Sequence, residues 1–356
     1  MEDKKITFFD AKEYDEEMFD KVNQDFGFEL KYFDNKLSPE TAILAKDSDA
    51  ICIFVNDRMD AETIEKLEEY GINIVALRSA GYNNVDLEAA YQTLHVVRVP
   101  AYSPYAVAEY TVALILSANR KIHKAYYRIN DNNFNISGLQ GFDMHGKSAG
   151  VIGTGKIGRI LIKILNGFGM DIYAYDPYPD HDYAKKIGYD YVDLDTLYKK
   201  SDIISLNCPL TKETYHIIDD ESISKMKDGV MIVNTGRGHL IDTQALIEGL
   251  KSKKIGSAAL DVYEEESKYF FEDFSDQLIS DDTLARLLNF NNVLVTSHQG
   301  FFTSEALNNI ATTTLQNIED YFMGKALENE VCYRCPGDVC HKEEEGRCFF
   351  LQEETA

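Results

Sequence analysis

Short apolar runs alternate with charged stretches along the first hundred residues. The runs fall at 6–9, 50–55, 72–77 and 95–99, and stretches such as 62–70 between them look helical and charged. Strands alternating with helices predict a parallel sheet, because each crossover helix returns the chain to the same edge and covers the sheet. A second series follows, with apolar runs at 150–152, 172–175, 203–206, 230–233, 257–260 and 293–296 and helical patterns between most of them. Six such strands suit a doubly wound dinucleotide fold.

Between the two series stands Pro100, then Ala101-Tyr102-Ser103-Pro104, and then a largely apolar helical pattern over 106–118. A helix apolar on most of its surface predicts burial at an interface between domains or subunits. A last amphipathic pattern, 304–321, predicts a helix that returns to the first domain. The expected fold class is α/β: two Rossmann-like domains, one flavodoxin-like and one doubly wound, with parallel sheets and a cleft between them. The expected boundaries are 1–100 completed by 299–331 for the first domain, 101–298 for the dinucleotide domain, and 332–356 for a cysteine-rich tail.

Composition narrows the function. A chain of 356 residues with 44% hydrophobic content is long enough for two cores. Its net charge of −24 repels polyanions, which argues against nucleic-acid binding and against adhesion to anionic membranes. A small anionic substrate would need a local positive group. The most apolar stretch, 111–118, is far too short to span a bilayer, and the opening residues carry no apolar signal segment, so a cytoplasmic location is expected. Of six cysteines, Cys52 and Cys208 lie in strand-like sequence and read as small buried hydrophobes, while four crowd between Cys332 and Cys348. That distribution is no secreted disulfide framework.

Gly153-Thr154-Gly155-Lys156-Ile157-Gly158 follows a strand-like run and opens a helical pattern. The first glycine permits the tight turn, the second lets backbone approach a pyrophosphate, and the third lets the helix pack close to the sheet. The helix N-terminus then faces the phosphate charge. The next strand ends at Asp176, at about the twenty-residue distance expected of the acid that hydrogen-bonds a ribose. Its carboxylate would repel a 2′-phosphate, which favours NAD over NADP. Asp176-Pro177 is also a common turn signal.

Three polar residues stand at or just beyond the ends of later strands, where ligands bind in open parallel sheets: Arg237, Glu266 and His298. Arg237 lies between Gly236 and Gly238, and an arginine can hold a carboxylate in a bidentate fork. A histidine suits proton transfer near neutral pH, and a nearby glutamate would favour its charged form. An arginine in such a loop, or a glutamate in the run Glu264-Glu265-Glu266, is as readily a solvated charge, and chemistry alone does not choose among the three glutamates.

Taken in order, Tyr102-Ser103-Pro104 with Ala106-Val107-Ala108-Glu109, then Gly150 to Gly158, Val233 to Gly238, Leu260 to Glu266 and Thr296 to Gln299 resemble the signatures of D-isomer-specific 2-hydroxyacid dehydrogenases. The likeness runs from about residue 3 to 330 and is closest to the fermentative branch that interconverts pyruvate and D-lactate. It is carried there by Arg120-Lys121-Ile122-His123, by Asp176-Pro177-Tyr178-Pro179 and by the insertion Phe270-Phe271-Glu272-Asp273. The resemblance implies that Arg237 anchors the substrate carboxylate, His298 exchanges the proton and Glu266 partners the histidine. It implies cofactor contacts at Lys156, Ile157, Asp176, Cys208, Pro209, Thr235, Gly236 and Asp261, and a substrate pocket lined by Tyr102, Ser79, Ala80 and Phe301. It also implies a homo-oligomer, dimer or tetramer. Two alternatives are a larger branched or aromatic 2-keto acid as substrate and a non-catalytic NAD-sensing regulator; a D-3-phosphoglycerate dehydrogenase fits less well.

The tail departs from that resemblance. Cys332, Cys335, Cys340 and Cys348, with His341, supply enough soft ligands for zinc or an iron–sulfur cluster. The competing reading is a polar tail with reduced thiols.

Overall fold

Apolar runs buried on both faces become the central strands. The computed structural model describes residues 4–333, 342 and 346–349. The chain divides into two units, one formed by the described residues of Met1–Ser103 and Thr303–Ala356, the other by Pro104–Phe302. These crossings lie three and four residues beyond the expected ones, after 100 and after 298.

In the first unit, strands β1 (Lys5–Phe8), β2 (Glu29–Tyr32), β3 (Ala50–Ile53), β4 (Ile74–Leu77) and β5 (His95–Arg98) form one parallel sheet in the order β2-β1-β3-β4-β5. Every residue of β3 and β4 is buried, as a parallel sheet covered on both faces requires. The helix Ser304–Phe322, capped by Thr303 Oγ1 accepting from Ala306 N, packs on the helix Glu13–Asn23 and on β4 and β5. The late amphipathic segment therefore belongs to the first unit, where it covers its sheet. Beyond it Val331 N donates to Val96 O at 2.8 Å, so the returning chain covers the β5 edge.

The second unit holds seven strands: β6 (Ser148–Ile152), β7 (Asp171–Tyr175), β8 (Asp190–Tyr191), β9 (Ile203–Leu206), β10 (Val230–Asn234), β11 (Ile255–Leu260) and β12 (Val293–Val295). Their order is β12-β11-β10-β9-β6-β7-β8, all parallel, so strand order reverses between β6 and β9. Alternate residues feed two cores. Ile204, Leu206, Ile232 and Leu260 face one side, while Ala149, Val151, Ile203, Met231 and Val233 face the other. Each fully buried aliphatic side chain contributes about 1.5–3 kcal/mol. The helix Pro104–Arg120 contributes Ala108, Val112, Leu114 and Ile115 to the core of this unit and packs against the helix Lys156–Gly167 and β11. Its apolar surface thus serves the second core. Among the described residues, no helix is long and apolar enough to cross a membrane.

Candidate active site

The glycine motif fills the turn between β6 and the helix Lys156–Gly167. Gly153 adopts φ +97°, and a Cβ there would lie 2.6 Å from the Asn207 carbonyl. At Gly158 a Cβ would collide with the Gly153 carbonyl, so the helix seats directly on the turn. Around Gly155 nothing lies within 4 Å of where a Cβ would be, and the first-turn amides of the helix open onto that space. This cradle fits a dinucleotide pyrophosphate.

Asp176, at the end of β7, accepts from Thr154 N at 2.7 Å and Thr154 Oγ1 at 2.9 Å through one oxygen, and from Tyr178 N at 2.9 Å through the other. The acid thereby sits beside the glycine turn, as a ribose-binding carboxylate must. Lys156 and Ile157 open the helix, Lys156 exposed and Ile157 half-buried, and Cys208 and Pro209 follow β9. Burial pushes the Cys208 thiol up to about 11, so it is a neutral neighbour of the turn. Thr235 shares a 2.9 Å hydroxyl hydrogen bond with Thr111.

Arg237 follows β10. Its loop is braced by Asn234, which donates from Nδ2 to Arg237 O at 2.8 Å and accepts from Gly236 N at 3.0 Å. The guanidinium donates to Gly236 O and meets no carboxylate among the described residues. It is half-buried and available to an anion. Gly238 lets this loop press on the segment after β11: a Cβ there would lie 2.5 Å from Glu264 N and closer still to the Tyr263 carbonyl.

Glu266 and His298 meet. His298 Nδ1 lies 2.7 Å from Glu266 Oε1, with each side chain 17% exposed, and Glu266 Oε2 accepts from Tyr263 N at 2.9 Å. The carboxylate fixes a proton on Nδ1, leaving Nε2 as the ring's reactive nitrogen. His298 has φ +53°, a left-handed backbone that costs a non-glycine residue about 1–2 kcal/mol. Asp261 holds that turn in place. Its carboxylate accepts from Thr296 Oγ1 at 2.6 Å, Gln299 N at 3.0 Å and Gly300 N at 2.8 Å, and its carbonyl accepts from His298 N at 2.7 Å. Burial raises the Asp261 carboxyl pKa against the pull of those hydrogen bonds.

Of the expected pocket residues, Ser79 and Ala80 follow β4 and Tyr102 follows β5 in the first unit, while buried Phe301 lies in the second. Sequence reasoning missed Thr111, Thr154 and Thr296, whose hydroxyls bind the site loops, and Phe271, whose ring centroid is 6.0 Å from that of His298. It also missed a cluster of His216, His239 and Glu264. Of the four tail cysteines, Cys335 and Cys340 lie outside the described residues. The Cys348 thiol is buried, and its hydrogen-bond partners are Cys332 and Glu330.

Comparison with known proteins matches this geometry to a family. A family model described as D-isomer specific 2-hydroxyacid dehydrogenase, NAD binding domain, matches residues 112–300. D-lactate dehydrogenase of Escherichia coli is 52% identical over 328 residues, which cover 92% of this chain and 99% of that protein. The apo-structure of the Escherichia coli D-lactate dehydrogenase superposes with a TM-score of 0.85 at 50% identity, covering 92% of this chain and 99% of that one. A D-2-hydroxyisocaproate dehydrogenase structure gives a TM-score of 0.79 at 32% identity, covering 92% and 100%. These similarities carry NAD binding, and they lend no support to a zinc or iron–sulfur site in the tail.

Proposed function

The chain belongs to the D-isomer specific 2-hydroxyacid dehydrogenases, an NAD-binding family, and on that premise we propose that it reduces pyruvate to D-lactate with NADH. The observation that carries the reading is the 2.7 Å His298–Glu266 pair, with a guanidinium that meets no carboxylate among the described residues on a neighbouring loop of the same sheet.

Bound NADH supplies the hydride that reaches the keto carbon. Every other element of the reaction falls to the protein. Arg237 takes the substrate carboxylate in its fork and orients the keto group, which makes the encounter effectively intramolecular. The His298 ring, doubly protonated, donates its Nε2 proton to the keto oxygen as negative charge develops there. Glu266 stabilises that charged ring through Nδ1 and keeps it aimed. In the oxidising direction neutral Nε2 accepts the hydroxyl proton. The glycine turn with Lys156 and Ile157 receives the pyrophosphate, and Asp176 receives the adenosine ribose in place of the Thr154 hydrogen bonds. Cys208, Pro209, Thr235, Gly236 and Asp261 complete the cofactor contacts, and Tyr102, Ser79, Ala80 and Phe301 the substrate pocket. The first unit acts as the substrate domain.

A homo-oligomer is part of this reading, supported by exposed Tyr126, Tyr127, Ile129, Phe134 and Ile136 on and just after one short helix. The enzyme acts in the cytoplasm, where pyruvate and NADH meet.

The similarity to a D-2-hydroxyisocaproate dehydrogenase favours a second reading, a larger 2-keto acid as substrate. One methylene shifts discrimination by only about 1–3 kcal/mol, so measurement decides. NADH oxidation is followed with pyruvate, 2-ketoisocaproate and phenylpyruvate side by side, with the product's chirality assayed. Fast pyruvate turnover to D-lactate is expected. Preference for a larger acid establishes the second reading, and no turnover with any of the three refutes both.

A further inference from the structure

The loops after three adjacent central strands bring together a set of side chains that the reduction does not use. His216 lies in the chain beyond β9, His239 beyond β10 and Glu264 beyond β11. Glu264 Oε1 is 2.8 Å from His216 Nε2 and 3.3 Å from His239 Nδ1, and one ligand atom from each residue lies within 4.8 Å of the others. Ligands about 2.0–2.1 Å from a tetrahedral zinc ion stand roughly 3.3 Å apart. The cluster therefore needs only small side-chain adjustments to hold one.

We propose that His216, His239 and Glu264 form a site for a zinc-like divalent cation, with water in the fourth position, that clamps the loops carrying Arg237 and Glu266. Two imidazoles and a carboxylate are a donor set suited to borderline transition metals. The backbone brings the ligands together before any ion arrives. His216 N donates to His239 O at 2.9 Å, Ile218 N donates to Leu240 O at 3.1 Å, and the bare Gly238 lets the Glu264 segment close in. His216 adopts φ +51°, a strained backbone that this pairing sustains. Groups behind the ligands are also in place. Thr243 N donates to Glu264 Oε2 at 2.9 Å, and Asp242 Oδ2 lies 3.9 Å from His216 Nδ1, on the side of the ring away from the ion. Tyr215 stacks on His216 with centroids 4.0 Å apart.

The His239 side chain is 39% exposed, which gives an ion a way in from solvent. This inference stands on geometry independent of the substrate reading.

The test compares the full-length protein with His239→Gln and His216→Gln. Each is incubated with zinc chloride and dialysed, and bound zinc is counted by atomic emission. Any zinc held by the tail cysteines is common to all three proteins, so the difference isolates this site. Wild type is expected to retain one more zinc per chain than either variant, and its affinity for that ion is expected to exceed theirs by at least about 100-fold. Cobalt(II) in the same site should give visible ligand-field bands without thiolate charge transfer. NADH binding by the variants verifies that they fold. Equal zinc content in wild type and in both folded variants would overturn the proposal, as would a cobalt difference spectrum dominated by thiolate.

Discussion

Replacing Gly238 by alanine tests whether the apposition of two loops governs reactivity. The new methyl would stand 2.5 Å from Glu264 N and closer to the Tyr263 carbonyl. Carbon contacts settle at about 3.5–4.0 Å, so the Arg237 loop and the Tyr263–Glu266 segment must part by about 1 Å. Both sides of the clash are backbone, so no side-chain rotation relieves it. A displacement of about 1 Å costs on the order of 10²-fold in rate, or about 2.7 kcal/mol of transition-state stabilisation. The folding cost is separate, about 1–3 kcal/mol for an overpacked site. The assay is kcat/KM for pyruvate at saturating NADH, beside NADH affinity by fluorescence titration and a urea midpoint. The expected result is a loss of about 100-fold in kcat/KM with NADH affinity nearly unchanged, because the Gly153–Gly158 turn is a different loop. Gly155→Ala should do the reverse. Open space surrounds that position in the free protein, so the urea midpoint holds, while a methyl in the pyrophosphate's place weakens NADH binding. A folded Gly238→Ala protein with wild-type kcat/KM would refute the idea that this contact sets the position of Arg237.

Arg237→Lys keeps the charge and loses the fork, so kcat/KM for pyruvate should fall about 10- to 100-fold, chiefly through KM; an unchanged KM would remove Arg237 from carboxylate binding. His298→Gln should lower kcat by roughly 10²–10⁴-fold with NADH affinity retained, and undiminished kcat would mean that the proton comes from elsewhere. Asp202, partly desolvated, is nevertheless held below the usual carboxylate range by hydrogen bonds from Ser148 and Lys227. Because its folded-state pKa is depressed, its contribution is present above the ordinary range and lost as pH falls through the lowered value. Asp202→Asn should therefore cost about 1 kcal/mol at neutral pH by urea unfolding, with the gap to wild type closing in acid; a gap independent of pH would contradict the assignment.

What the sequence showed of the fold follows from how each strand is buried. Strands β3, β4, β9 and β10 have neighbours on both edges and helices on both faces, so all their residues are buried and they read as continuous apolar runs. Strand β2 sits at a sheet edge, and its Glu-Leu-Lys-Tyr alternates between exposed and half-buried. Strand β8 is an edge of two residues. Neither carries an apolar run that marks a strand in sequence. Composition likewise identified the helix Pro104–Arg120 as buried but not its neighbour, because apolar surface specifies removal from water and not the partner that removes it.

The site was legible to the extent that topology makes it so. In a parallel sheet every strand delivers its next few residues to the same edge, so a polar residue just past an apolar run is already a candidate; Arg237, the run Glu264-Glu265-Glu266 and His298 stand there, and the family resemblance selects Glu266 from its run. The clamp residue Asp261 follows the same rule, though its work of holding the strained His298 turn is tertiary. His216 escapes the rule because it lies well beyond the end of β9, in a segment returned to the site by the Ile218 to Ile241 bridge. Its neighbour His239 stands two residues past Arg237 and was available to the rule, yet it had no visible partner. A ligand set assembled from three crossovers has no spacing to read. What can be read is the order of the strands, and once β9, β10 and β11 are known to be adjacent, the polar residues in the three loops that follow them become candidates to be tested together.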